Sequence, residues 1–232
     1  MPSLAASTWV DIAAQPDPVL VIPVGSCEQH GPHLSFDTDT VIAEALVQPI
    51  VNLRPNVFVG PTITVSASGE HAGFPGTLSF GSEATAEALI ELVRSADWAR
   101  GVLFVNAHGG NSDAFTDVVL TASMEQRNVL VWSPPPPDDA RADSHAGWLE
   151  TSVMLHLDPS RVRLEHLEVG DTRPLRTIID QLMDDGVRSV SPNGVLGDPT
   201  AANADDGRAV MERWTSQLVD RVETWLEQLG NT

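Results

Sequence analysis

Two short polar segments carry most of the side chains capable of metal or acid-base chemistry. Glu28, His30, His33 and Asp39 follow an apolar run at residues 19–24, and Asn106, His108 and Asn111 follow a second apolar run at residues 101–105. Carboxylates mixed with imidazoles suit zinc, ferrous iron or manganese. Glu28 and His30 are two residues apart, so an extended segment turns both side chains the same way. A Glu-x-His pair also occurs in ordinary surface loops, and His108 beside two glycines also fits a plain loop histidine. The metal reading therefore rests on four such residues standing together behind two apolar runs.

A third cluster, DSHAGWLETS, holds Asp143, His145, Glu150 and Thr151. His145 and Glu150 lie five apart, off one line on a regular helix, so a turn at the helix start must direct both into one crevice. Ser144 does not complete a capping box, because the third helical position would then be Gly147. Glu70 and His71 sit in the long polar segment SASGEHAGFPGT, where such loops are more often functional than idle. They are expected to line a substrate pocket or to seal a subunit contact. Trp148 is expected to wall the same pocket, while the tryptophans at 9, 98, 132, 214 and 225 read as core or interface anchors. Cys27 points away from Glu28 on an extended segment and reads as inert packing.

The elements that must position these residues alternate. Residues 19–24 (VLVIPV), 56–59, 101–105 (GVLFV) and 129–132 read as strands. Residues 41–46, capped by Thr38 or Asp39, and residues 82–94, 112–126, 145–157, 205–229 and, more weakly, 174–183 read as helices. This order predicts an α/β fold with a mostly parallel sheet covered on both faces and right-handed crossovers. Functional residues of such sheets gather at the carboxyl ends of the strands, where the first two clusters stand. Residues 134–143, with four prolines, fit a surface loop over an active site as well as a domain boundary. We expect a single domain over residues 1–232.

Composition narrows the chemistry further. The chain of 232 residues carries a formal net charge of −19, all 13 basic residues are arginine, and lysine and tyrosine are absent. Schiff-base lysines, P-loop lysines and tyrosine acids are thereby excluded. A single cysteine excludes an internal disulfide, a multi-cysteine zinc knot and an iron-sulfur cluster within one chain. The acidic balance argues against nucleic acid or an anionic membrane as partner. Residues 1–6 lack a basic leader and no stretch approaches a membrane span, so a cytoplasmic location is expected.

GSCEQHGPHLSFDTDT, NAHGGN and DSHAGWLETS together resemble the creatininase family over nearly the whole chain. The resemblance implies a three-layer α/β/α sandwich, a homo-oligomer and metal-dependent hydrolysis of an amide bond. It also implies two divalent ions per subunit, one held by Glu28, Asp39 and His108, the other by His30 and Asp39, with Asp39 as the bridge. His145 matches a histidine that moves protons. A family glutamate two residues beyond the histidine matched by His108 is Gly110 here, which leaves Glu150 to fill the place and argues against creatinine as substrate. Cys27 and Ser35 replace a usual threonine and proline without removing a ligand. SASGEHAGFPGT and NGVLGDPTAA point to a peptidase branch that cuts a modified precursor peptide near its C-terminus and releases a crosslinked Val-Tyr unit. Two other functions remain open from sequence. One is hydrolysis of a small cyclic amide or formamide; the other is a noncatalytic binding or structural role.

Overall fold

The computed structural model describes residues 3–136, 138, 139 and 143–230. Four parallel strands form its sheet: β1 (Val19–Val24), β2 (Val57–Val59), β3 (Gly101–Asn106) and β4 (Val129–Trp132), in the order β2-β1-β3-β4. β1 and β3 run side by side over their full length, from Val19 opposite Gly101 to Val24 opposite Asn106. Both are buried throughout, which is why their sequences are continuously apolar. Pro23 is tolerated because β1 pairs with β2 only as far as Val21, and the Pro23 carbonyl instead accepts from Ile63 in the following loop.

Alternate side chains of β1 enter different layers. Val19 and Val21 join a core with Ile42 and Leu46 of α2 (Thr38–Val51), Val153 of α5 (Trp148–Leu157), and Trp214 and Leu218 of α8 (Ala204–Gly230). Leu20, Ile22 and Val24 face Leu89 and Val93 of α3 (Gly81–Ser95) and Phe115 of α4 (Ser112–Met124). The result is the expected α/β/α sandwich. Three further helices are α1 (Trp9–Ala13), α6 (Leu175–Asp185) and α7 (Val187–Val190). No helix among the described residues is long and apolar enough to cross a membrane.

Several expectations change. Thr38 and Asp39 do not cap α2; both lie inside its first turn, after Asp37, and Asp39 turns into the site. The helix expected from His145 begins at Trp148, and Asp143 supplies its cap, accepting from the backbone N–H groups of Trp148 and Leu149. Of the tryptophans, 132, 148, 214 and 225 are buried, whereas Trp9 is 80% and Trp98 39% exposed. Within the expected loop at 134–143, residue 137 and residues 140–142 lie outside the described set.

Candidate metal centre

Strand order reverses between β1 and β3, because β1 leads to β2 on one side and β3 to β4 on the other. A crevice opens at that switch point, beyond the carboxyl ends of the strands. The loop after β1 brings Glu28 and His30 there, and the loop after β3 brings His108. Asp39 and Glu150 arrive from the first turns of α2 and α5, where the helix dipole favours negative charge. Gly25 allows the β1 loop to reach α2, since a Cβ there would stand 2.5 Å from the Thr40 backbone. Ser26 in that loop then donates to Asp39 Oδ2 at 2.8 Å.

Asp39 offers one oxygen to each of two histidines. Oδ1 is 3.2 Å from His30 Nε2 and Oδ2 is 3.0 Å from His108 Nδ1. Glu28 Oε2 lies 3.2 Å from His108 Nε2, Glu150 Oε2 lies 3.8 Å from His30 Nε2, and His145 Nδ1 is 3.7 Å from Glu28 Oε1 and 4.0 Å from Glu150 Oε2. Glu28, Asp39 and His108 present donor atoms mutually within 4.8 Å, and so do His30, His145 and Glu150. These are two candidate metal clusters that Asp39 joins.

The electrostatics fit cations. Burial pushes the Glu28 carboxyl up, but the His108 charge and hydrogen bond outweigh it and hold it at about 2. Asp39 is likewise driven well below the usual carboxylate range: burial opposes this, and His30 and His108 prevail. Burial presses His30 down, yet Asp39, Glu150 and Glu28 raise it to about 10, and Glu28 and Asp39 raise His108 well above its ordinary value against the same burial. Burial lifts Glu150 to about 7. A field that holds protons on these rings also attracts a divalent ion, and proton and metal compete for the same lone pairs. Glu28 Oε2 is buried and faces His108 Nε2 at 3.2 Å, on the side where a cation would sit.

Other sequence candidates fall in different places. Glu70 and His71 line the cavity above these clusters, a space of about 510 Å³. Gly110 has no room for a side chain, because a Cβ there would run into Glu70 Oε1 and His108 Nε2. Trp148 is not a pocket wall: it is buried in the core and its indole N–H donates to Asp206 at 3.2 Å. Two residues of helix separate it from Glu150 by about 200°, which sends the two side chains to opposite sides. Asn106 and Asn111 tie the loop together, Asn111 Nδ2 donating to Asn106 Oδ1 at 2.9 Å and Asn106 Nδ2 to the His108 carbonyl at 2.8 Å. Cys27 is partly buried and free. Missed in the sequence were Gln29, which touches two of the histidines, and the role of α6, whose Leu175, Ile179 and Met183 form an apolar wall of the cavity.

His33 stands apart from the clusters, fully buried, its Nε2 hydrogen-bonded with the Thr151 hydroxyl at 2.8 Å. Burial, with the His30 charge, pushes its imidazole down to about 4 from an ordinary 6.5. The unfolded chain therefore takes up the proton first as pH falls, so this residue's contribution to stability is lost between about 6.5 and 4. Denaturant midpoints measured across that window should fall less steeply in His33→Gln, which keeps a partner for Thr151 and does not titrate.

A metal-dependent hydrolase on an α/β/α scaffold is the class this fold and donor set define. The family model described as creatinine amidohydrolase matches residues 5–222, and the chain belongs to the creatininase family. It is 42% identical over 214 residues to the mycofactocin precursor peptide peptidase of Mycolicibacterium smegmatis, covering 90% of this chain and 85% of that one. It is 26% identical over 249 residues to the creatinine amidohydrolase of Pseudomonas putida, covering 93% and 94% of the two chains. A crystal structure of creatinine amidohydrolase superposes with a TM-score of 0.81 at 24% identity, covering 96% of this chain and 97% of that one.

Proposed function

We propose that the protein is a peptidase that cleaves the modified mycofactocin precursor peptide near its C-terminus and releases the crosslinked Val-Tyr unit. The observation that carries this reading is the 42% identity to the peptidase against 26% to the creatinine hydrolase, over nearly the same span. The cavity supports it. Its floor is the carboxylate-imidazole cluster, and Leu175, Ile179, Leu182 and Met183 of α6 give it an apolar wall suited to the side chains of a peptide end.

Glu28, Asp39 and His108 would hold one divalent ion and His30, Asp39 and Glu150 the other, with zinc, ferrous iron or manganese matching the donors. Such ions supply an acidified water and polarise a carbonyl. His145 is the proton carrier in this reading. Its Nε2–H donates to the Gln29 carbonyl at 2.8 Å, which leaves Nδ1 bare toward the carboxylates to take a proton and pass it to the departing amide nitrogen. Glu150 occupies the ligand place that Gly110 leaves open. In the same reading the enzyme works as one domain, in the cytoplasm, as a homo-oligomer. Purified protein incubated with the modified precursor should yield the shortened peptide and the crosslinked unit by mass spectrometry. Chelation should stop the reaction and added zinc, iron or manganese restore it. Full cleavage by metal-free protein, or intact precursor under metal-replete conditions, overturns the proposal.

A further inference from the structure

Four histidines surround the carboxylates, and three are wired alike. His30 Nδ1 donates to the Glu28 carbonyl at 3.2 Å, His108 Nε2 to the Ala67 carbonyl at 2.7 Å, and His145 Nε2 to the Gln29 carbonyl at 2.8 Å. A ring N–H anchored on a carbonyl fixes the tautomer and leaves the other nitrogen as a lone pair facing the acids.

His71 is wired in reverse. Its Nδ1 lies 2.9 Å from the side-chain amide nitrogen of Gln29. Two other contacts fix the orientation of that amide: Gly31 N–H donates to Gln29 Oε1 at 2.8 Å, and Gln29 Nε2 donates to the Gly194 carbonyl at 3.1 Å. An amide nitrogen donates and does not accept, so His71 Nδ1 must be the acceptor. The His145 Nε2 that also lies 3.2 Å from this amide nitrogen is itself a donor, so the amide's hydrogens go to His71 and Gly194. The proton of the His71 ring therefore sits on Nε2, 3.5 Å from Glu28 Oε1. Both glycines of this cradle have positive φ, +66° at Gly31 and +80° at Gly194, and a Cβ on Gly194 would run into Gln29 Oε1. Glycine at both positions lets the two loops close on the amide.

We propose that Gln29 and His71 form a positioning relay for Glu28, in which His71 is an N–H donor to Glu28 Oε1 rather than a metal ligand, turning Oε2 toward the ion. His71, with Glu28 and His145, also satisfies the distances of a third metal cluster, and the relay removes it, because a protonated Nε2 has no lone pair to give. The buried Oε2, which faces His108 Nε2 across 3.2 Å, is the other half of the same arrangement. The proposal rests on the metal-dependent reading of this site, and its test reads protons and ions rather than turnover.

The test is solid-state 15N NMR of the full zinc-loaded chain labelled at the histidine ring nitrogens, with His71 assigned by its absence from His71→Gln. The expected spectrum has the His71 proton on Nε2, Nδ1 bare and neither nitrogen bound to zinc. In zinc titrations, His71→Ala and Gln29→Glu should lose about 10- to 100-fold in affinity while still binding two ions per chain at saturation. His71→Gln, which keeps an N–H donor, should recover most of that loss. A zinc-bound His71 nitrogen, a proton on Nδ1, or saturation one ion lower in His71→Ala overturns the relay. A wild-type chain that takes up no zinc, iron or manganese overturns the metal centre itself.

Discussion

Asp39→Asn is expected to empty both metal positions and to reduce cleavage of the modified precursor by about 10³-fold or more. Asp39 has a close oxygen on each side, 3.2 Å from His30 and 3.0 Å from His108, where Glu28 reaches His30 only at 4.0 Å. Its neighbours hold it far into the ionised range, so the site is built around a full negative charge at this point. The amide keeps the shape and the hydrogen bond from Ser26, but removes the charge and one of two ligand oxygens. Lewis-acid stabilisation is worth several kcal/mol, and about 4 kcal/mol corresponds to roughly 10³-fold in rate. Metal content after dialysis and product formation by mass spectrometry are the two readouts. A variant that retains two ions and full rate would show that Asp39 is not the bridge.

How far this centre can be read from the chain depends on how local each contact is. Glu28, His30, Asp39 and His108 are legible because each follows directly on a buried strand or opens the next helix, and β1 beside β3 then forces the loops together. Gln29 was not legible: it stands between two conspicuous ligands, and its role depends on His71, His145 and Gly194, which are 42, 116 and 165 residues away. Trp148 misled for the opposite reason. It is adjacent to the cluster in sequence, but helical geometry sends it to the core and Glu150 to the site. The start of α5 was misplaced because Asp143 caps it from outside, across Ala146, whose φ of +52° no residue pattern announces. The role of the α6 wall was not legible, because Leu175, Ile179 and Met183 stay exposed over the cavity and outside the main core, which helical spacing alone does not announce.

His145→Ala should separate chemistry from metal binding, with cleavage lowered by about 10²- to 10⁴-fold while both ions stay in place. His145 Nδ1 lies 3.7 and 4.0 Å from its nearest carboxylate oxygens, a looser fit than the 3.2 and 3.0 Å contacts that His30 and His108 make with Asp39. Its surroundings also press it away from the charged state: burial first, then the charge of His30, hold the imidazole well below its ordinary range. A ring so placed takes a proton only when negative charge develops beside it, and passes it on readily. Loss should therefore appear in kcat with KM little changed, because the interaction is made during reaction and not on binding. The substrate's leaving group offers a second check. The alcohol of a peptide ester of the same sequence departs with much less help from a proton donor, so the variant should lose far less activity on the ester than on the amide. Equal losses on both, or loss of one ion with the ring, would make His145 a ligand and leave proton delivery to Glu150, which burial already lifts to about 7.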